Sequence, residues 1–214
     1  MIQSKLLTKY KRLVHYFGER TGFSDDLSTN IKLNNAVMVE QVHGSKIAII
    51  KSNRNKYIKG KDGMITNRKL FLAIRTADCL PIFFYDIKNQ TIAAIHAGWK
   101  GLYMGIIKNS LKQMIKTGSN PKNILAAAGP HIQVCCYSVP KKRILQFEMY
   151  KEAISKQFLD LGKIALQQML ISGLLTKNID ISSICTSCDN RFWSYRRDKQ
   201  NVGRMINLIG IISK

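Results

Sequence analysis

The stretch LFLAIRTADCLPIFFYDIKNQTIAAIHAGW, residues 70–99, contains three apolar runs, at 70–75, 80–85 and 91–96. Runs of this length, apolar and bounded by turn residues, read as strands of a buried sheet. Thr76-Ala77-Asp78-Cys79 separates the first two, and Ala97-Gly98-Trp99 ends the third. Upstream, AVMV (36–39) and IAII (47–50) read as short strands on either side of Glu40-Gln41-Val42-His43-Gly44. Downstream, Ile106, Ile107, Leu111, Met114 and Ile115 fall at helical spacing, with Gly118 and Pro121 as stop signals. Residues 124–128 read as a strand running into Gly129-Pro130. Two more helices are expected over 141–158 and 160–174, then closing strands over 179–185 and 202–212. Strands and helices mix without strict β-α-β alternation. The expectation is one compact α/β domain, 1–214.

Composition narrows the function classes. The 214 residues carry 34 Lys+Arg against 13 Asp+Glu, a formal net charge of +21. The 45% hydrophobic and 22% charged shares are ordinary globular values, which argues against wholesale disorder. No window approaches the ~18 uninterrupted apolar residues of a membrane span. The N-terminus leads into Lys5, Lys9, Lys11 and Arg12 rather than a signal-peptide core, so a cytoplasmic location is expected. The basic residues are dispersed rather than blocked. They favour loose association with polyanions, but recognition modules with known signatures are missing, so no specific nucleic acid is expected.

Chemistry-bearing residues are few. The four histidines are His15, His43, His96 and His131; the five cysteines are Cys79, Cys135, Cys136, Cys185 and Cys188. An odd thiol count without an export signal does not suit a disulfide framework. His43 and His96 each end a strand-like run beside a glycine, where backbone can approach a ligand closely. Cys79 sits between two apolar runs. Two imidazoles and one thiolate suffice to hold Zn²⁺ with a fourth position open. Two hydrogen-bonded strand-end histidines and a buried thiol are the alternative from the residues alone. Cys185-x-x-Cys188 lacks a second such pair to complete a four-cysteine site, Cys135-Cys136 read as packed thiols, and His131 reads as a solvated loop histidine.

The runs Gln41-Val42-His43-Gly44, Asp62-Gly63, Thr76-Ala77-Asp78-Cys79-Leu80-Pro81-Ile82 and His96-Ala97-Gly98-Trp99-Lys100-Gly101 together resemble the bacterial laccase-domain family. That family is also called multicopper polyphenol oxidase, YfiH-like or peptidoglycan editing factor. Gly129-Pro130, Cys136-Tyr137, Cys185-Thr186, Ser194, Arg196-Arg197-Asp198 and Gly203-Arg204 continue the match, and Arg20, Gly22 and Ser24 resemble its N-terminal motif. The resemblance implies mixed β-sheets flanked by helices in α/β/β/α layers, with His43, Cys79 and His96 as ligands of one Zn²⁺ per chain. It implies a purine nucleoside phosphorylase acting on adenosine, inosine, guanosine or methylthioadenosine with phosphate, and adenosine deaminase activity besides; the oligomeric state stays open, with a monomer favoured.

Physics sorts the family's labels. Multicopper oxidation needs a mononuclear site and a trinuclear cluster built largely from imidazoles, which four histidines cannot supply, so copper is less suited than zinc. A water at an open Zn²⁺ position, with its pKa lowered to about 7, suits hydrolytic work. The His-x-Glu and Pro-Cys-x-x-Cys signatures of base deaminases are missing. Asp78 and Asp62 are therefore the candidate proton carriers, although Asp62 also reads as a turn residue before Gly63. Arg20, Lys100 and Arg204 are the candidate phosphate ligands, with Arg20 also a candidate catalytic group. Three positions depart from the family: Lys100 in place of Arg, Ser138 in place of Glu and Phe23 in place of Gly. Two rival classes are a Cys–His hydrolase acting on peptidoglycan precursors, with Cys79 as nucleophile, and a basic nucleic-acid-binding protein.

Overall fold

In the computed structural model, which describes residues 1–21 and 35–212, the three central apolar runs become β6 (Phe71–Thr76), β7 (Leu80–Asp86) and β8 (Thr91–Ala97). β7 and β8 pair antiparallel, with Pro81 opposite His96 and Leu80 opposite Ala97. Both strands are buried along their whole length, which explains their near-continuous apolar reading. β6 does not join them. It lies in a second sheet stacked on the first.

The larger sheet has six strands in the order β12-β9-β7-β8-β5-β3, adding β3 (Ile47–Ile49), β5 (Gly63–Thr66), β9 (Ile124–Ala128) and β12 (Ile179–Ile181). The other has five, β1-β13-β6-β2-β4, formed with β1 (Leu13–Tyr16), β2 (Ala36–Val39), β4 (Tyr57–Ile58) and β13 (Met205–Ile211). Each mixes parallel and antiparallel pairs. The strand period of two divides the core. Ile82 and Phe84 face a cluster with Leu111, Ile164 and Met169 from the helices. Phe83 and Tyr85 face Leu72, Ile74, Val37 and Ile209 of the five-stranded sheet. Helices α1 (Trp99–Tyr103), α2 (Ile106–Lys116) and α4 (Leu161–Ile171) pack on the outer face of the six-stranded sheet. The described residues thus build helix, sheet and sheet layers of one α/β fold.

Local chemistry explains the departures from expectation. The helix expected over 141–158 is broken into α3 (Lys141–Leu145), a 3₁₀ segment and a small hairpin, β10 (Ile154–Ser155) with β11 (Phe158–Leu159). Tyr150 leaves helical geometry (φ −108°, ψ 53°), and Lys156 turns the hairpin at φ 55°. Leu145 and Met149 are exposed, so the segment has no continuous apolar face to hold a helix. The next helix starts at an Asp160 N-cap, whose carboxylate accepts the Lys163 N–H at 2.9 Å, and stops before Gly173 (φ 93°). β12 ends at Ile181, four residues short of the expected strand, because the chain then turns through Cys185. β1, β4 and β5 were not expected from sequence. A last helix, α5 (Tyr195–Asp198), is capped by the Ser194 hydroxyl, which accepts the Arg197 N–H.

Candidate metal centre and its cavity

Strand register brings Cys79 and His96 together. With Leu80 opposite Ala97, Cys79 falls beside Gly98, and a Cβ on Gly98 would lie 3.0 Å from Cys79 Sγ and 3.3 Å from His43 Cδ2. β5 lies on the other side of β8 with Gly63 opposite Ile95, which sets Asp62 beside His96. The link from β2 to β3 carries His43, at φ 57°, into the same corner. The nitrogen or sulfur ligand atoms of His43, Cys79 and His96 all lie within 4.8 Å of one another.

Asp62 organises two of the three. Its fully buried carboxylate accepts N–H bonds from His43 (2.8 Å), Gly44 (2.7 Å) and Val42 (3.3 Å), a nest of successive backbone donors. Its Oδ1 also lies 2.9 Å from His96 Nδ1. An ionised carboxylate only accepts, so Nδ1 of His96 carries the proton and Nε2 is left for a metal. Burial opposes charge on Asp62, but the bonds from His96 and from Gly44 and Val42 outweigh it and hold its pKa below the usual carboxylate range. Asp62 therefore sits behind the ligands as their orienting partner, and it does not line the cavity in front of them.

The thiol is tuned in the same corner. Burial pushes the Cys79 pKa up, yet the charge of His96 and hydrogen bonding with His43 and His96 prevail and bring it down to about 6. Conversely, burial pulls His96 down, while Cys79 and Asp62 carry it up to about 9. At neutral pH Cys79 is therefore a thiolate beside a protonated His96, and a metal that displaces the proton from His96 Nε2 would meet the His₂Cys donor set that Zn²⁺ takes with one position open.

In front of the cluster lies a cavity of ≈ 780 Å³. Four cations line it (Arg75, Arg196, Lys199 and Arg204), as do the aromatic rings of Trp99, Tyr137 and Tyr195. Asp78 is the one carboxylate among the described lining residues, and both its oxygens are engaged. Oδ1 accepts the Thr186 hydroxyl at 2.7 Å and Oδ2 accepts the Arg196 N–H at 2.7 Å, with the backbone of Asp78 at φ 82°. Burial, then the charge of Cys79, push the Tyr137 phenol up to about 12, so it stays protonated. The Arg143 guanidinium covers the Trp99 ring.

Of the residues named from the sequence, His43, Cys79, His96, Asp78 and Arg204 meet at this cavity. Arg20 and Lys100 are not among its lining residues. Arg20 pairs with Asp198 at 3.6 Å and lies over the Trp193 ring, and Lys100 is exposed on α1. Phe23, Gly22 and Ser24 lie outside the described residues. Ser138 receives the Arg196 guanidinium on its hydroxyl (3.0 Å) and carbonyl (2.9 Å). Arg197 serves structure, spanning Asp198 and the carbonyls of Thr186, Ser187 and Phe192. Sequence reasoning missed Arg75, whose backbone is clamped by the Gln41 side chain through two hydrogen bonds (2.6 and 2.8 Å). It also misread His131, which is fully buried rather than solvated, with Nδ1 2.9 Å from the Gly129 carbonyl.

The fold and site define an α/β protein with stacked mixed sheets and a His₂Cys cluster, able to bind a metal, at the strand ends. Residues 23–212 match the multi-copper polyphenol oxidoreductase laccase family, and the chain belongs to that family. It is 34% identical over 202 residues to the purine nucleoside phosphorylase YlmD of Bacillus subtilis, covering 85% of this chain and 73% of that one. It is 30% identical to a purine nucleoside phosphorylase of Clostridium acetobutylicum over 80% of this chain and 75% of the relative. Among solved structures, a hypothetical protein YfiH of Bacillus licheniformis superposes with a TM-score of 0.88 at 27% identity, covering 95% and 94% of the two chains. YlmD of Geobacillus stearothermophilus gives 0.76 at 28% identity, over 84% and 74%. Among the described residues, no helix is long and apolar enough to cross a membrane.

Proposed function

We propose that this chain is a zinc-dependent purine nucleoside phosphorylase that splits a purine nucleoside with phosphate into free base and pentose 1-phosphate. The observation that carries this reading is a single cavity joining the His43–Cys79–His96 cluster to four cationic and three aromatic side chains. The names of the curated relatives support the same activity. Held by His43, Cys79 and His96, Zn²⁺ would supply Lewis acidity at an oxygen of phosphate or substrate.

The chain's own residues supply the rest. Arg75, Lys199 and Arg204 attract the phosphate, and the guanidinium forks can bind it through paired N–H donors. Tyr195 offers an exposed ring face for the purine, while Trp99, covered by Arg143, walls the cavity. The Tyr137 phenol donates a hydrogen bond to the bound base or sugar, since it keeps its proton. Asp78 holds the cavity wall through Thr186 and Arg196 rather than carrying a proton, because neither of its oxygens is free. Arg20 supports that wall through Asp198 and Trp193, and Lys100 adds positive potential from α1.

The test is turnover of inosine with and without inorganic phosphate. Hypoxanthine and ribose 1-phosphate should form only when phosphate is present, and Cys79→Ala should lose turnover together with the zinc of the His43–Cys79–His96 cluster. Phosphate-independent or absent hypoxanthine release would overturn the reading. Inosine made from adenosine without phosphate would reveal the deaminase activity that the family resemblance implies. A second reading rests on the low pKa of Cys79 beside His43 and His96, which suits a nucleophilic thiol. Rapid alkylation of Cys79 without a chelator, in protein lacking zinc, would favour that hydrolase.

A further inference from the structure

Away from this cavity, the structure gathers the other four cysteines at one point. Cys135 and Cys136 lie in the loop after β9, and Cys185 and Cys188 lie in the turn after β12. Their four sulfur atoms are all within 4.8 Å of one another, with Cys188 Sγ 3.6 Å from Cys135 Sγ and 3.3 Å from Cys136 Sγ. We propose that Cys135, Cys136, Cys185 and Cys188 form a second metal centre, a closed four-thiolate site for Zn²⁺ that ties the two loops together.

Spacing is the first argument. Sulfurs about 2.3 Å from one tetrahedral Zn²⁺ stand about 3.8 Å from each other. The cluster has those dimensions around a single ion. Cys188 lies at similar distances from two sulfurs, so the arrangement singles out no disulfide pair.

The backbone is the second argument. Cys188 and Asp189 both donate their N–H to the Cys185 carbonyl (3.2 and 3.1 Å), closing the C-x-x-C into a tight turn. Across from it, Cys136 and Tyr137 both donate to the Gln133 carbonyl at 3.0 Å. That second turn lets two adjacent cysteines face the same point. The Gln133 N–H also reaches Cys185 Sγ at 3.4 Å, a donor that would stabilise a thiolate and orient it. Behind the turn, the Arg197 guanidinium holds the carbonyls of Thr186 and Ser187. All-sulfur coordination with no open position is a structural arrangement rather than a catalytic one.

Position gives the site its role. Thr186, beside Cys185, donates to Asp78, and Tyr137, beside Cys136, lines the cavity. On α5, Arg196 donates to the Cys136 carbonyl at 2.9 Å while its neighbour Arg197 holds the carbonyls of Thr186 and Ser187, so both loops are tied to one helix. Metal at the four sulfurs would stiffen the cavity wall that faces the His43–Cys79–His96 cluster. No electrons move in this step: the bound ion replaces thiol protons, which leave to solvent.

Elemental analysis of the full chain, produced with ample zinc and purified under reducing conditions, tests the proposal. Wild type should hold two zinc ions per chain. Cys135→Ser and Cys188→Ser, both at exposed positions that tolerate a polar side chain, should each hold one, as should Cys79→Ala. Cobalt-loaded wild type should show the strong thiolate-to-metal absorption of an all-sulfur tetrahedron, and Cys188→Ser should lose that band while Cys79→Ala keeps it. The Cys188→Ser protein should also melt at a lower temperature. One zinc in wild type, unchanged by Cys188→Ser, would overturn the second centre. So would a disulfide among the four cysteines in the reduced preparation, read by mass spectrometry after alkylation.

Discussion

Asp62 Oδ1 lies 2.9 Å from His96 Nδ1, and both side chains are buried. The same carboxylate takes the backbone N–H groups of Val42, His43 and Gly44, so it fixes the ring of one candidate ligand and the backbone of another. In Asp62→Asn the amide would present a donor where the wild type needs only acceptors. Removing such an outer partner commonly weakens metal binding about 10- to 100-fold. We expect a loss in that range for Asp62→Asn, measured by competition with a chromophoric chelator. An affinity within a factor of two of wild type would show that Asp62 only caps the 42–44 turn.

Gly98 is a steric gate on the same cluster. A methyl group there would sit 3.0 Å from Cys79 Sγ and 3.3 Å from His43 Cδ2, closer than most real contacts, while its φ of −77° suits alanine. The cost is therefore local crowding, not backbone strain. Gly98→Ala should retain its fold by circular dichroism and lose most of its bound zinc at this centre. Full zinc retention would mean the corner yields more than its packing suggests.

What could be read from sequence follows from where the determinants lie. The runs within 70–99 announce themselves because β7 and β8 are buried on both faces, so most of their residues are apolar. β1 shows no such signal. Its pairing with β13, Leu13 opposite Ile211, joins the two ends of the chain and alternates buried with half-buried residues. The 141–158 segment misleads because Leu145 and Met149 are apolar yet exposed. His43, Cys79 and His96 were legible through resemblance, since their proximity depends on strand register. The four-cysteine cluster was not legible: its two halves come from separate loops, and one half is an adjacent pair rather than a C-x-x-C.

Asp78 can be assigned by comparing it with its partner. If it holds the cavity wall, Thr186→Val should reproduce much of the effect of Asp78→Asn. Thr186→Val leaves Asp78 Oδ1 without its donor, at about 1–3 kcal/mol, and Asp78→Asn exchanges charge-assisted hydrogen bonds for weaker neutral ones. Both variants should melt earlier and raise KM, with the pH profile of kcat unmoved. A proton carrier would behave differently: Asp78→Asn alone would abolish kcat and remove a limb of the pH profile, and Thr186→Val would do neither.

The remaining histidines set the acid limit of the fold. Burial draws His15 down from 6.5 to about 4, against the charge of Asp180. Its Nε2 accepts the Ser4 N–H at 2.9 Å, so protonation there would remove that bond. His131 is also pulled by burial to about 4, with Nδ1 on the Gly129 carbonyl. Both pKa values fall on folding, so the unfolded chain binds more protons below pH 6.5. Stability is complete above 6.5 and drains away as pH falls towards 4, by up to about 3 kcal/mol per histidine. Urea unfolding of the zinc-loaded protein from pH 7.5 to 4.5 should show this slope. His15→Gln offers Ser4 an acceptor that does not titrate in this range, and it should flatten the slope by roughly half. An unchanged slope in that variant would place the acid sensitivity elsewhere, with His131 or the metal ligands as its source.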